Sequence, residues 1–193
     1  ATITTLTASR SAIVRFRDGI MTGGSDEARQ AWIDRILTAQ STMALHAFSS
    51  DGSDTASSAA MVSASQQLSN NLLNSISLAP SETITMVSET ATMPVTVSNG
   101  TPFSVKVNIS SITDSSEIAT SRRTSITVPA HSEAQATFRL RAATSSSATA
   151  TITLEDRSGI AFGQPQQTAI SCILKISDMT GFIIIGAAVA LGL

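Results

Sequence analysis

Apolar and polar residues alternate along the segment 93–110, which reads MPVTVSNGTPFSVKVNIS. From Phe103 onward every second residue is apolar, and such a period of two predicts a strand with one buried and one solvated face. The Asn99-Gly100 pair between the two halves is typical of a two-residue hairpin turn. That register would place Val95 opposite Ser104, so that the apolar side chains of the two strands would face opposite sides. We therefore expect an arch that carries the chain from one sheet to another.

The same alternation continues downstream, where turn signals separate short runs. Candidate strands lie at residues 83–87, 93–98, 103–110, 124–128, 134–142, 148–155 and 168–177, with turns at 129–133 and 156–163. Seven short strands are typical of an Ig-like β-sandwich, which we place at residues 81–177. Its core is expected to contain Val95, Val97, Phe103, Val105, Val107, Ile126, Val128, Phe138, Leu140, Ile152, Leu154, Ile170, Cys172 and Leu174.

Upstream, residues 25–79 follow the helical period instead. Ser25 is a good N-cap for a helix over 26–48, and a second, more polar helix is expected over 55–75. Together they predict two antiparallel helices, an α-helical hairpin. Its interface is expected to join Trp32, Ile36, Leu37, Met43 and Phe48 on the first helix to Leu68, Leu72 and Ile76 on the second.

The two ends of the chain are harder to interpret. Residues 1–24 are expected to be a linker or the remnant of an upstream region, with a strand remnant at 1–7 and a short helix or strand at 11–20. On a strand, Arg15 and Arg17 would share a solvated edge. No signal peptide pattern follows Ala1, and we interpret the chain as a piece of a longer protein.

Residues 179–193, MTGFIIIGAAVALGL, contain no charged side chain. A membrane span needs about 20 apolar residues, so this segment predicts a truncated transmembrane anchor, the start of a transmembrane helix. A C-terminal core strand is the alternative, but the many Gly and Ala residues are poor strand formers. The expected fold class is thus mainly β, with an Ig-like sandwich after two helices and before a membrane anchor.

Composition argues against nucleic-acid binding and against an intrachain disulfide. The net charge is −2 and only 13% of residues are charged, so no basic surface for nucleic acid is expected. Cys172 is the single cysteine, which precludes an intrachain disulfide, and its place in an alternating run predicts a buried apolar side chain.

Residues with potential chemistry are few, and they do not form known motifs. The two histidines, His46 and His131, lack partners at metal-binding spacing. Glu155 and Asp156 are adjacent, so on a strand they would point to opposite faces and could not act as an acid–base pair. Other patterns are interpreted as chance or structural matches: Gly23-Gly24 without a P-loop lysine, Asp51 and Asp54 without an EF-hand, the basic pair Arg122-Arg123, and the sequons at Asn99 and Asn108. We predict no catalytic, cofactor-binding or metal-binding residue and no cofactor.

The order of parts resembles a known family. A helical pair, then PVTVSNGTPFSVKV and VPAHSEAQATF, then FIIIGAAVALGL, is similar to the C-terminal region of a family of uncharacterised actinobacterial (bifidobacterial-type) cell-envelope membrane proteins. The resemblance covers the chain from about Ser25 onward. It implies an Ig-like domain and a single C-terminal transmembrane helix, and it supplies no catalytic residues.

These observations favour a non-catalytic, extracytoplasmic sandwich that acts as a stalk or presentation module of a single-pass envelope protein in the cell membrane. Its partners would be the membrane, through residues 179–193, and cell-wall glycan or envelope proteins. Two alternatives remain: a membrane-proximal accessory part of an envelope enzyme whose catalytic domain lies upstream, and an adhesin or surface-fibre subunit. The sequence upstream of Ala1 would discriminate them, since an enzyme would show strand–helix alternation and a fibre would show tandem sandwiches.

Overall fold

The computed structural model describes residues 2–49 and 55–174. In this part of the chain, three helices precede two facing β-sheets. The helices are α1 (Thr2–Gly19), α2 (Asp26–Ser49) and α3 (Thr55–Asn74). The strands are β1 (Ile76–Leu78), β2 (Ile84–Met86), β3 (Thr90–Asn99), β4 (Val105–Thr113), β5 (Ile118–Thr120), β6 (Arg123–Val128), β7 (Ser132–Ala142), β8 (Ser146–Glu155) and β9 (Ala161–Cys172).

The sheets have the orders β1-β3-β7-β5 and β2-β9-β8-β4-β6. All pairings are antiparallel except that of β2 with β9. The fold is therefore mainly β and forms a sandwich, as the alternating pattern predicts, but with three helices instead of two. The described residues contain two short strands, β1 and β5, that the pattern does not reveal.

The edges of the sandwich are closed by chain segments that change sheets. β1 pairs in the first sheet and the following β2 pairs in the second, and β5 and β6 do the same on the other side. A switch of this kind covers part of the open backbone of an edge strand, which is where unwanted pairing with other chains begins. β1 and β5 have only three residues each, too few to show a period by themselves, whereas the equally short β2 was predicted as part of the longer candidate run 83–87.

The arch between β3 and β4 is confirmed. β3 lies in the first sheet and β4 in the second, and Asn99 holds the crossing. Its side-chain amide donates to the carbonyl oxygens of Phe103 at 2.8 Å, Val128 at 3.2 Å and Pro129 at 2.8 Å, while its Oδ1 accepts from Thr101. Asn99 is 1% exposed, so the sequon at this position is part of the buried structure.

The predicted register of the core is confirmed for most positions. Eleven of the fourteen expected core residues are buried, and Phe103, Ile126 and Leu174 are half-buried against the same cluster. The alternating residue Lys106 is exposed and Ser104 is half-buried. Cys172 is a free, buried thiol side chain, as expected.

β9 differs from the prediction at its start. It begins at Ala161, inside the expected turn 156–163. The pairing of β8 with β9 shifts in register near Ile152 and Leu154, and Gly163 adopts a positive φ of 69° there. This irregularity, with Pro165 beside it, interrupts the period of two and conceals the first half of the strand.

Residues 2–19 form a helix, so the strand remnant expected at 1–7 is wrong for the described residues 2–7, and of the helix or strand expected at 11–20 the helix is found. The buried positions Leu6, Ser9, Ile13 and Phe16 recur at helical spacing. Many β-branched residues lower the helix propensity of this segment, and packing against α2 and α3 outweighs that preference.

The helical pair was predicted at nearly the observed bounds. The N-cap is confirmed, because the Ser25 hydroxyl accepts a hydrogen bond from the Ala28 N–H at 3.1 Å. The expected interface is only partly right. Phe48 is 57% exposed, and Ile76 belongs to β1. The buried line of α2 is Ile33, Gln40 and Ala47.

Three expectations fall outside the described residues. These are the acidic turn with Asp51 and Asp54, the end of the last predicted strand, and the membrane anchor at 179–193. No helix within 2–49 and 55–174 has both the length and the apolar character that crossing a membrane requires.

Candidate functional site

The sequence-predicted candidates are not brought together. His46 is exposed on α2, whereas His131 is exposed in the turn before β7 with a φ of 49°. Among the described residues no group of three His, Cys, Asp or Glu side chains could hold a metal ion.

Glu155 and Asp156 have separate partners, as their predicted opposite directions require. Glu155 forms an ion pair with Arg123. The Oδ1 of Asp156 accepts the backbone N–H groups of Ser158 at 2.9 Å and Ile160 at 3.0 Å, which fixes the turn after β8. Arg123 thus belongs to strand β6, and its guanidinium is held by this ion pair.

The helices meet the sandwich at a junction built around the turn that joins α1 to α2. The backbone N–H of Thr22 donates to the Ser104 carbonyl, and the N–H of Lys106 donates to the Ile20 carbonyl, both at 2.8 Å. The α1–α2 connection therefore extends β4's pairing by a short bridge between Met21 and Val105. Gly23 and Gly24, with φ of 68° and 70°, form this loop and no phosphate cradle.

Two arginines connect the helices to the sandwich, one from each of the two parts. Arg157 follows β8, and its guanidinium donates to the backbone carbonyls of Met21 at 3.0 Å and of Asp18. Arg15 on α1 faces Asp156, with 3.5 Å between Nε and Oδ2. This distance makes an ion pair but exceeds a hydrogen bond, and neither buried atom has another hydrogen-bond partner. Arg15 and Arg17 therefore do not share a strand edge, because they lie on a helix and contact different residues.

Aromatic side chains complete the junction. The half-buried Trp32 of α2 lies between Phe16 of α1 and Phe103 of the arch, with ring centroids 6.4 Å and 5.8 Å away and tilted planes. One continuous apolar cluster extends from Ile13 and Ile33 in the helices to Cys172 at the far end of the sandwich. Helices and sheets thus share one core.

A polar groove of about 470 Å³ lies beside this junction, lined by three arginines, two aspartates, Met21 and Gln30. Its charges are already engaged. Arg17 binds Asp18, Arg29 binds Asp26, and Arg157 binds the backbone. The hydrogen bond that Arg17 donates to Asp18 lowers the pKa of the Asp18 carboxyl group and raises the pKa of the Arg17 guanidinium. The groove is therefore a set of structural contacts and leaves no guanidinium for a ligand.

A different surface carries uncommitted charge. On the outer face of the first sheet, Arg139 and Arg141 of β7 pair across the strands with Thr92 and Thr90 of β3. We call these four residues the arginine face. They line a shallow groove of about 590 Å³ together with the intervening pair, Ala91 and Leu140.

Neither guanidinium of the arginine face forms a hydrogen bond or an ion pair with any residue in the ranges 2–49 and 55–174. Sequence reasoning missed both residues. The signal was available, because Phe138 and Leu140 were expected to point inward, and the same alternation directs Arg139 and Arg141 to one outer face.

Comparisons with known proteins give a family and a fold. The profile of the "Family of unknown function (DUF6049)" matches residues 1–193, so the chain belongs to that family. No curated protein matches significantly. The match carries no source organism, and the actinobacterial attribution stays a prediction.

Solved structures similar to this chain are sandwiches that cover about half of it. The ASH/PapD-like domain 7 of human CEP192 has a TM-score of 0.41 and 11% identity, over 53% of this chain and 87% of that one. The CARDB domain of PF1109 from Pyrococcus furiosus has a TM-score of 0.39 and 10% identity, over 52% and 94%. A FixG-related protein from Vibrio parahaemolyticus has a TM-score of 0.38 and 14% identity, over 50% and 94%. At these values the similarities agree with a sandwich of the Ig-like or PapD-like kind and carry no functional argument.

Proposed function

We propose that this member of DUF6049 is a non-catalytic, rigid spacer that holds the segments joined to its two ends far apart. The observation that carries the proposal is the position of those ends. Gly19, at the end of α1, contacts the sandwich, so Thr2 lies at the opposite, distal end of the helices. Ile173 hydrogen-bonds to Met86 at the end of the sandwich opposite the junction.

The strand directions support this arrangement. β3 ends at Asn99 beside Ser75, the last residue before the sandwich, and begins at Thr90 at the far end. β9 runs from Ala161, near the junction, to Cys172, next to Ser146 at the far end. A chain that enters through α1 and leaves after β9 therefore passes along the whole length of the molecule.

The contacts at the junction support rigidity. Backbone hydrogen bonds from two loops, the Arg157 clamp, the Arg15–Asp156 pair and the Phe16–Trp32–Phe103 stack connect the helices to the sandwich. A flexible hinge between two domains would have few such contacts and separate cores. Here the apolar core is continuous.

A distance measurement between spin labels tests the proposal. Thr4→Cys on α1 and Ser116→Cys at the far end of the sandwich provide exposed label sites. Cys172→Ala removes the only native thiol, which is buried, so that the label reacts at these two sites alone. From helix and strand rises, we expect a narrow distribution centred at about 50 Å. A broad distribution, or one centred below about 35 Å, would overturn the spacer.

The control is a weakened junction. Arg157→Ala removes the clamp without touching either label site, and it should broaden the same distribution. If Arg157→Ala leaves the distribution unchanged while the urea midpoint falls, the clamp stabilises the fold but does not set the orientation, and the rigidity argument loses that support.

We further propose that residues 179–193 anchor the spacer in a membrane, with the sandwich on the extracytoplasmic side of a cell envelope. The support is the run of uncharged residues after Asp178, which follows the far end of the sandwich along the chain. Flotation with phosphatidylglycerol–phosphatidylcholine vesicles tests it. The chain 1–193 should float with the vesicles and the chain 1–178 should not. Equal behaviour of the two chains would refute the anchor.

A further inference from the structure

Among the described residues, the arginine face is the only surface on which two guanidiniums lie side by side without a partner. A ligand at this surface would be a function separate from the spacer proposed above. Arg139 and Arg141 are two residues apart on one strand, so their Cα atoms are about 7 Å apart and both side chains stand on the same side. We propose that the arginine face binds a linear anionic glycan, with one acidic group of the glycan at each arginine.

Charge complementarity carries the anionic part of the proposal. A guanidinium offers a planar fork of donors that matches a carboxylate or a phosphate, and it forms charge-assisted hydrogen bonds with either. Three acidic residues lie near this sheet, Glu89, Glu117 and Glu133, and none of them forms an ion pair with Arg139 or Arg141. The two positive charges are therefore available to a ligand.

The neighbours of the arginines favour a glycan. Thr90 and Thr92 stand directly opposite the two arginines, and the same outer face continues with Thr96, Gln135 and Thr137. Hydroxyl and amide groups both donate and accept hydrogen bonds, which suits the many hydroxyl groups of a sugar chain. The groove of about 590 Å³ that the arginine face lines is open and leaves room for a ligand that contacts both strands.

Other anionic partners fit this face less well. A nucleic acid would need a basic stripe and aromatic stacking platforms, but the chain has a net charge of −2 and no Tyr, and its single Trp lies in the junction. A membrane surface is recognised by clusters of about four to eight basic residues. Arginine clusters also recognise acidic peptide motifs, but the hydroxyl and amide groups around these two arginines favour a ligand that carries many hydroxyl groups of its own.

Binding of fluorescein-labelled oligogalacturonate, followed by anisotropy at about 20 mM and 150 mM NaCl, tests the proposal. We expect saturable binding that weakens at the higher salt, since the contacts are exposed. Arg139→Gln/Arg141→Gln should weaken binding at least tenfold, because both charge-assisted contacts are lost.

The matched control is Arg35→Gln/Lys106→Gln. It removes two positive charges from exposed positions on α2 and on the other sheet, and it should change the affinity less than twofold. Equal weakening by the two double variants would show a general charge effect and overturn the site. Absence of binding to oligogalacturonate would overturn it as well.

Two further probes test the class of ligand. Labelled dextran, a neutral glycan, should not bind, and labelled polyglutamate should bind more weakly than oligogalacturonate. Binding of dextran with equal affinity would overturn the role of charge, and tighter binding of polyglutamate would overturn the glycan in favour of an acidic peptide. Thr90→Val/Thr92→Val should weaken the oligogalacturonate complex and leave the polyglutamate complex unchanged, because valine keeps the strand but removes the hydroxyl groups that would contact the sugar.

Failure of this inference and failure of the spacer are distinguishable. The spin-label distance depends on the junction, which Arg139 and Arg141 do not contact, so Arg139→Gln/Arg141→Gln should leave the distribution unchanged. A variant that loses glycan binding and also changes the distance would have altered the fold, and such a result would count against the arginine face.

Discussion

The sandwich and the helical bundle have interiors of different chemistry. The inner faces of the sheets carry large apolar side chains that are almost fully buried, such as Phe138, Met93 and Ile152. The helical bundle instead buries polar groups: Ser9, Gln40 and Ser65 near its middle, and Ser69 one turn closer to the sandwich. Gln40 donates to the Leu6 carbonyl at 3.2 Å and to the Ser65 hydroxyl at 3.3 Å.

This polar layer divides the bundle. Towards the sandwich, Ile13, Phe16, Ile33 and Leu72 belong to the shared apolar cluster, but the buried residues beyond the layer, Leu6 and Ala47, do not. The distal end also exposes Ile3, Leu45 and Phe48. Because apolar burial is the main source of stability, the sandwich and the junction should hold the fold, and the distal helices should depend on them.

The largest effect should come from the sandwich core. Phe138→Ala should lower the free energy of unfolding by about 3–5 kcal/mol, since the ring is fully buried opposite Met93 and leaves a cavity. Leu6→Ala, in the distal bundle, should cost about 2 kcal/mol, the low end for such a change, because its site opens on a surface groove that can relax. Urea unfolding measures both.

The neighbouring Thr137→Ala is the control, because that side chain points outward and should change stability by less than about 0.5 kcal/mol. A Leu6→Ala variant that is as destabilising as Phe138→Ala would contradict the proposed difference between the two interiors.

The buried amide side chains of Asn99 in the sandwich and Gln40 in the bundle should also contribute unequally to stability, with the larger contribution again in the sandwich. Asn99→Ala should cost about 2–3 kcal/mol, because the carbonyls of Phe103, Val128 and Pro129 lose their donor inside the arch. Gln40→Ala should cost about 1 kcal/mol, since its two hydrogen bonds are long. Asn70→Ala, on the exposed side of α3, should be close to neutral. Thermal unfolding of the three variants would rank them, and a larger loss for Gln40→Ala would reverse the argument.

Much of the sandwich was predictable because its pattern is simple. A strand with one buried face leaves a strict alternation, and the parity clash at Asn99-Gly100 was enough to predict the arch. The bundle was less predictable for a physical reason. Gln40 lies at the centre of the buried line of α2, and a polar residue at that position shifts the apparent apolar stripe towards Trp32 and Met43.

The same reasoning explains the missed helix and the missed face. In α1 the spacing of Leu6, Ile13 and Phe16 is helical, but the surrounding Thr, Ile and Val residues favour strands. Arg139 and Arg141 were placed on the correct strand, yet only the cross-strand register shows that Thr92 and Thr90 stand opposite them and that no acid pairs with them. The residues of the junction, Arg157 above all, come together from segments more than a hundred positions apart.

Amide hydrogen exchange would compare the local opening free energies of the distal bundle and of the sandwich. The distal turns, residues 2–9 and 41–49, should open with a free energy about 1–3 kcal/mol below that of β3 and β7, because local stability follows the density of buried apolar contacts. Exchange that is equally slow in all these segments would show that the bundle and the sandwich unfold as one unit, and the polar layer would then not weaken the distal end.

The smallest effect concerns Asp18 at the junction groove. Its pKa is lowered in the folded state, first by the hydrogen bond from Arg17 and then by the charges of Arg17 and Arg157, against the opposing effect of burial. A lowered pKa means that the folded state prefers the ionised carboxylate. The contribution to stability is therefore present above the unfolded value of about 3.9, and it is lost as the pH falls through the folded pKa.

Asp18→Asn should accordingly destabilise the protein at pH 7 and have a diminishing effect below about pH 3.9. The Asp18 side chain is 59% exposed, and exposed pairs contribute less than about 1 kcal/mol, so the difference at pH 7 should be small and should shrink in 1 M salt as the charges are screened. Urea unfolding of both proteins across pH 2–7 measures it. A difference that grows on acidification would mean that the aspartate does not act through its charge, and the Arg17–Asp18 pair would then have no part in stabilising the junction.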